Sequence, residues 1–219
     1  MFILSFRFLF LFITSTLFAV GFYFASDEES KGYATAGNIT YPIDIEGAVF
    51  EVMESFPEAG KHKLHFIYDE SVTTSVMQAQ PALDFLVKSK QKRSYKVKMR
   101  PFITNGSDSL RISELPKEVL AGWLSHELGH IEDYLDRSKT DLLNFAFQYV
   151  TDKDFLMKAE CRADSFAVLN GRAGDLIQMK RFVQYNDLFD TTYKKKIERL
   201  YPDTNMVKKF VHQETASLE

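Results

Sequence analysis

Cysteine is almost absent from this chain: Cys161 stands alone among 219 residues. That excludes an intramolecular disulfide framework and a cysteine-built zinc ribbon. An excess of one charge is missing as well. Lys and Arg number 27 against 30 Asp and Glu, for a net charge of −3. The chain is therefore not a strongly basic nucleic-acid binder, and no nucleic-acid partner is expected. Internal repeats and low-complexity tracts are also lacking. The mean hydropathy of −0.20 excludes a polytopic membrane protein, though not a single terminal hydrophobic segment. What remains is 45% hydrophobic and 26% charged residues, an ordinary globular balance.

The hydrophobic residues are unevenly spread. Eight of the 20 phenylalanines lie in residues 1–25, and Phe8 to Ala25 is an 18-residue run without a charge. Arg7 precedes it, and Asp27, Glu28 and Glu29 follow. Such a run suits a secretory h-region or a spanning helix. The flanking charges favour an N-in, C-out orientation, which puts the rest of the chain outside the cytoplasm. Residues 1–25 are thus expected to be either a signal peptide, cut after Gly21, or a retained signal-anchor helix that tethers the protein to a membrane.

Residues 26–44 are polar and read as a linker, leaving 45–219 as a single domain. Apolar spacing predicts a short helix over Ile45–Ser55. Strands are expected at Lys61–Tyr68, Ala82–Val87 and Tyr95–Phe102, the last two joined by the basic turn Lys88–Arg93. The third alternates Tyr95, Val97 and Met99 with Lys96, Lys98 and Arg100, which suits an exposed or edge strand. Asn105-Gly106-Ser107 marks a loop. Helical periodicity follows at roughly 116–136, 139–150, 154–170, 175–184 and 189–201. Strands first and helices after make an α+β arrangement: a small antiparallel or mixed sheet followed by a helical C-terminal half.

Chemistry concentrates at His126-Glu127-Leu128-Gly129-His130. Leu120, Leu124, Leu128 and Ile131 form the inner stripe of a helix. His126 and His130, four apart, project from one face about a turn apart. Two neutral imidazoles so placed can share one Zn²⁺. Glu127 lies about 100° round the helix, beside the metal rather than on the ligand row, where it can take a proton from water. Thirty residues on, Glu160 and Asp164 lie four apart on a second helix. Glu160 can be the third ligand, and Asp164 can hold a histidine N–H from outside the ligand shell. Three protein ligands leave one zinc position open, the mark of a catalytic rather than a closed structural site. Cys161 reads as a small buried residue, and His62 and His65 as structural or surface histidines.

This pair of motifs, HELGH followed by Glu160-Cys-Arg-Ala-Asp164, resembles the gluzincin metallopeptidases. It is most similar to the branch of the HtpX heat-shock proteases and CAAX prenyl endopeptidases and their compact relatives. The resemblance covers about residues 115–170. It implies a zincin-like fold, one zinc per chain, and endopeptidase action on a polypeptide substrate. It also implies His126, His130 and Glu160 as ligands, Glu127 as the catalytic base and Asp164 as the outer aspartate. Farther on the pattern departs: relatives show Thr-His-Pro and then an arginine, whereas this chain has no His-Pro, and Lys196 stands at the arginine's place. The oxyanion-stabilising residue is therefore open among Tyr134, Arg172, Arg181 and Tyr193. Two other readings stay alongside the endopeptidase. One is a non-catalytic, zinc-stabilised binding or sensor module; the other is a hydrolase of non-peptide amides or esters.

Overall fold

A computed structural model describes residues 32–217. The hydrophobic segment 1–25, and with it the expected signal peptide or anchor, lies outside the described residues. Among the described residues no helix is long and apolar enough to cross a membrane.

The described residues open with a hairpin, β1 (Tyr33–Ala36) and β2 (Ile39–Pro42). Within the linker expected over 26–44, residues 33–42 are therefore paired strands, and residues 26–31 lie outside the described residues. The polar, Gly-dotted composition that suggested a linker belongs to an edge hairpin, whose turn Gly37-Asn38 has Gly37 at φ 58°. A positive φ at the first turn residue alone is the type II′ pattern that matches strand twist. Helix α1 (Glu46–Met53) and a single turn, α2 (Pro57–Gly60), lead to β3 (Lys63–Tyr68). His62 thus stands just before the strand rather than in it.

Next come β4 (Met77–Pro81) and β5 (Ser94–Met99). The strand expected at Ala82–Val87 is instead a 3-10 turn at Leu83–Leu86; the pairing strand lies just before it. The strand expected over Tyr95–Phe102 ends at Met99. Phe102 starts a separate two-stranded ribbon, β6 (Phe102–Asn105) and β7 (Asp108–Arg111), turning at Gly106. The main sheet runs β1-β2-β3-β5-β4. β2, β3 and β5 are parallel, while β1 and β4 pair antiparallel with their neighbours.

β5 is therefore interior, and β4 forms the edge. The alternation of lysines along β5 marks a face of the sheet rather than its rim. Tyr95, Val97 and Met99 are buried, while Lys96 and Lys98 lie on the outer face opposite Gln80 and Gln78. Lys98 pairs with Asp69 at 2.6 Å there.

Six helices follow: α3 (Lys117–Leu135), α4 (Lys139–Thr151), α5 (Lys153–Leu169), α6 (Ala173–Tyr185), α7 (Thr191–Leu200) and α8 (Thr204–Ser217). Three of the six starts carry a capping side chain. Ser138 and Asp141 form a capping box for α4, Asp152 caps α5 through the Asp154 and Phe155 amides, and Asp190 caps α7 through the Tyr193 amide. Expected and observed helix ends agree to within two residues or so, but α8 was not foreseen. The class is α+β, with a small mixed sheet and a helical second half.

α3 is the axis of the molecule. Every residue from Val119 to Ile131 is buried, because the sheet, α1, α5 and α6 all pack on it. A helix covered on all sides needs no polar face. The carbonyls just past its C-terminal end are met by the basic segment before β5: Lys90 donates to that of the capping residue Asp136, and Arg93 to that of Arg137 at 2.7 Å. Cations at that end also complement the helix dipole.

Two glycines let neighbouring helices approach α3. A Cβ on Gly129 would sit 2.1 Å from the Ala163 carbonyl oxygen of α5, and one on Gly122 would sit 2.4 Å from the Asp175 carbonyl oxygen of α6. Neither obstacle is a flexible side-chain end. Gly129→Ala is expected to lower stability by about 3 kcal/mol, the upper end of overpacking costs. Gly47→Ala, in open space on α1, is expected to raise it by about 0.5–1 kcal/mol. Urea midpoints of the two variants measure both, and a Gly129→Ala protein as stable as wild type would refute the close contact.

Candidate metal centre

α3 and α5 cross where Gly129 meets Ala163, so the residues that flank this contact face each other. His126 and His130 project from α3 on one side of it. Glu160 and Asp164 come from α5, where Ala159, Ala163 and Ala167, all fully buried, keep the helix close. His126 Nε2 lies 3.0 Å from Glu160 Oε2, and His130 Nε2 lies 3.5 Å from the same oxygen. The ligand atoms of His126, His130 and Glu160 all fall within 4.8 Å of one another. On its other nitrogen, His126 Nδ1 lies 2.8 Å from Asp164 Oδ1. That bond leaves Nε2 aimed at the cluster, as a ligating tautomer requires. Two imidazoles and a carboxylate converging in a buried space can hold a metal ion.

The electrostatics follow from burial and pairing. Burial works against a charged His126 ring, but the hydrogen bonds and charges of Asp164 and Glu160 outweigh it and lift the ring to about 10. Burial likewise opposes charge on Glu160, yet His130 and His126 hold its carboxyl well below the usual carboxylate range. Asp164 is held low by Lys180 and His126 against the same opposition. Glu127 behaves differently. Burial pushes it up, against the pull of His126 and His130 and of a hydrogen bond from the Ala79 amide. Glu127 therefore sits between the cluster and the β4 edge, without being part of the ligand group.

Tyrosines enclose the cluster. Tyr149 of α4 donates to Glu160 Oε1. Tyr134, a turn beyond His130, stacks on that ring at 6.2 Å, and Tyr201, just after α7, lies 6.0 Å from the His126 ring. Burial raises all three hydroxyls well above their ordinary value, and the Glu160 charge adds to it. Tyr193 is half-buried, within the fields of Glu127 and Glu160. Lys196 is half-buried, within the field of Glu160, and donates to the Thr74 carbonyl at 2.7 Å.

Of the four residues considered for an oxyanion, Tyr134 and Tyr193 border the site, as does Lys196, which stands at the arginine's place. Arg172 and Arg181 do not. The Arg172 guanidinium is committed to Glu51 and Asp175. Arg181 lines a surface hollow with Pro116 and Glu118, about 12 Å along α3 from His126. Sequence reasoning missed Tyr149, Tyr201 and Lys180. For Lys180 a signal was present: it shares the inward stripe of α6 with Leu176, Met179 and Val183, where a lysine needs a buried partner.

No protein-family model, no curated protein and no solved structure matches this chain.

The charged His126 gives a pH signature for the metal-free protein. Its pKa is raised above the unfolded value, so its contribution is complete below about 6.5 and is lost as pH rises through about 10. Metal-free protein is expected to lose stability steadily between those values, and His126→Gln to flatten the slope. Denaturant midpoints across that range measure it; a wild-type slope equal to the variant's would count against the paired imidazolium.

Proposed function

We propose that the protein is a zinc-dependent endopeptidase with a zincin-like, gluzincin-type site. The observation that carries this reading is the convergence of His126 and His130 Nε2 on one Glu160 oxygen, with Glu127 buried alongside but outside the ligand group. A structural metal has no use for such a neighbour. The donors suit zinc: nitrogen and carboxylate ligands, three in number, with an outer carboxylate on one imidazole.

When bound, zinc supplies Lewis acidity toward a peptide carbonyl and toward water. His126, His130 and Glu160 hold the ion, and Asp164 fixes the His126 tautomer. Glu127 takes a proton from the attacking water and passes it to the leaving amine. Its burial-raised pKa suits both halves of that transfer. An extended substrate segment would add to a free strand edge. That edge is β4 rather than β5, because β5 is paired on both sides. β4 lies against α3 and its Ala79 amide reaches Glu127. The uncharged run 8–25 supports action outside the cytoplasm, with membrane attachment if that run is retained.

A non-catalytic, zinc-stabilised module is the second reading. It is favoured by the closure of the site, since His126, Glu127 and His130 are each at most 5% exposed.

Glu127→Gln separates the two. In the full-length chain, wild type is expected to cleave an unstructured protein in a zinc-dependent, chelator-sensitive way. The variant is expected to bind zinc one per chain and lose activity by about 10²–10⁴-fold. Undiminished cleavage by the variant would remove Glu127 as base. Bound zinc without turnover in wild type, across a panel of peptides, would favour the binding module.

A further inference from the structure

We infer that Lys180 is a positioning residue for the metal centre: its ammonium pins one oxygen of Asp164, so that the other is held on the His126 ring. The inference rests on the metal reading of the site and extends it to a third helix.

Asp164 is fully buried and Lys180 is 8% exposed. Lys180 Nζ lies 2.8 Å from Asp164 Oδ2, while Asp164 Oδ1 lies 2.8 Å from His126 Nδ1. A carboxylate held at one oxygen can swing about its Cβ–Cγ bond; one held at both cannot. The ring it touches is then fixed in rotation and in tautomer, with Nε2 facing the ligand group. Lys180 itself is delivered by packing. α6 is seated on Gly122 through the Asp175 carbonyl and Met179, and Lys180 is the next residue along. Removing a buried ion from water costs several kcal/mol unless it is paired. The Asp164–Lys180 pair meets that condition, and it places the lysine one residue removed from a ligand.

Two effects of Lys180 on metal binding oppose each other. As a cation it repels a divalent ion. As an anchor it holds the ligand His126 in a binding-ready orientation. The sign of the change on its removal therefore tells which one governs.

The test uses the full-length chain as wild type, Lys180→Met, Asp164→Asn and the double variant. Zinc affinity is read by competition with a chromophoric chelator, and ligand geometry from the visible spectrum of the Co²⁺-loaded protein. Loss of an outer partner of a ligand weakens metal binding by about 10–100-fold. Lys180→Met is expected to weaken zinc within that range and to alter the cobalt bands. Adding Lys180→Met to Asp164→Asn is expected to cost nothing further. Unchanged or tighter zinc binding by Lys180→Met overturns the inference, as does a fully additive loss in the double variant. If Lys180→Met does not fold, the double variant, which leaves no buried charge unpaired, is compared with Asp164→Asn on the same criterion. A wild type that binds neither zinc nor cobalt would refute the metal reading itself and this inference with it.

Discussion

The close approach of α3 and α5 at Gly129 is the constraint on which the site depends. The Ala163 carbonyl occupies the space a side chain at 129 would need, so the two backbones meet more closely than side-chain-mediated packing allows. The glycine inside the HELGH motif is thus a spacer between helices. It sits between the two histidines on α3, and Ala163 sits between Glu160 and Asp164 on α5. Contact between the two small residues places both acidic groups within hydrogen-bonding range of the imidazoles. Gly122, seven residues earlier, repeats the device for α6. One helix with two notches therefore receives two others, one carrying carboxylates and one carrying the lysine that balances them.

Charge buried at this density persists because it is paired. His126 faces Asp164 and Glu160, Glu160 also takes the Tyr149 hydroxyl, and Asp164 also takes Lys180. Glu160 has both oxygens hydrogen-bonded, whereas Asp164 has one on the His126 ring and the other held by the Lys180 ion pair alone; this pairing is what offsets their desolvation. Glu127 breaks the pattern. It faces the same histidines but has its carboxyl raised rather than lowered. Within one cluster, then, environments pull two glutamates apart. The one held ionised is suited to ligation, and the one moved toward neutrality is suited to exchanging protons.

Much of this was legible in the sequence, for reasons particular residues make plain. The HELGH helix, its apolar stripe and the spacing of Glu160 and Asp164 are local periodicities, and helix starts carried Ser138, Asp152 and Asp190 as markers. Strand order was not legible. The lysines of β5 alternate because its two faces differ, one buried and one only half-buried among the described residues, and alternation looks the same in the middle of such a sheet as at its edge. The hairpin at 33–42 was missed because four-residue strands hold too little pattern to outweigh a Gly37-Asn38 turn and polar neighbours. Arg172 and Arg181 were considered for the oxyanion by charge alone; Arg172 is spent on Glu51 and Asp175, and Arg181 faces a hollow beyond the other end of α3. Tyr149 and Tyr201 reach the site from helices whose placement depends on tertiary packing.

The basic run before β5 serves the scaffold of the helix that carries the histidines. Lys90 and Arg93 belong to a basic turn, Lys88–Arg93, in which Ser89 and Gln91 alternate with lysines. In the fold they meet the carbonyls just past the end of α3, while Lys98 turns to Asp69 on the outer face of the sheet. These cations hold the last turn of the helix that carries the histidines, just beyond Tyr134. His126 and His130 are thus secured from three directions: by backbone contact at Gly129, by paired charge through Asp164, and by contacts just past the helix end. A substitution that loosens any one acts on the same two imidazoles, so losses at these separate places should reach the candidate metal centre by a common route.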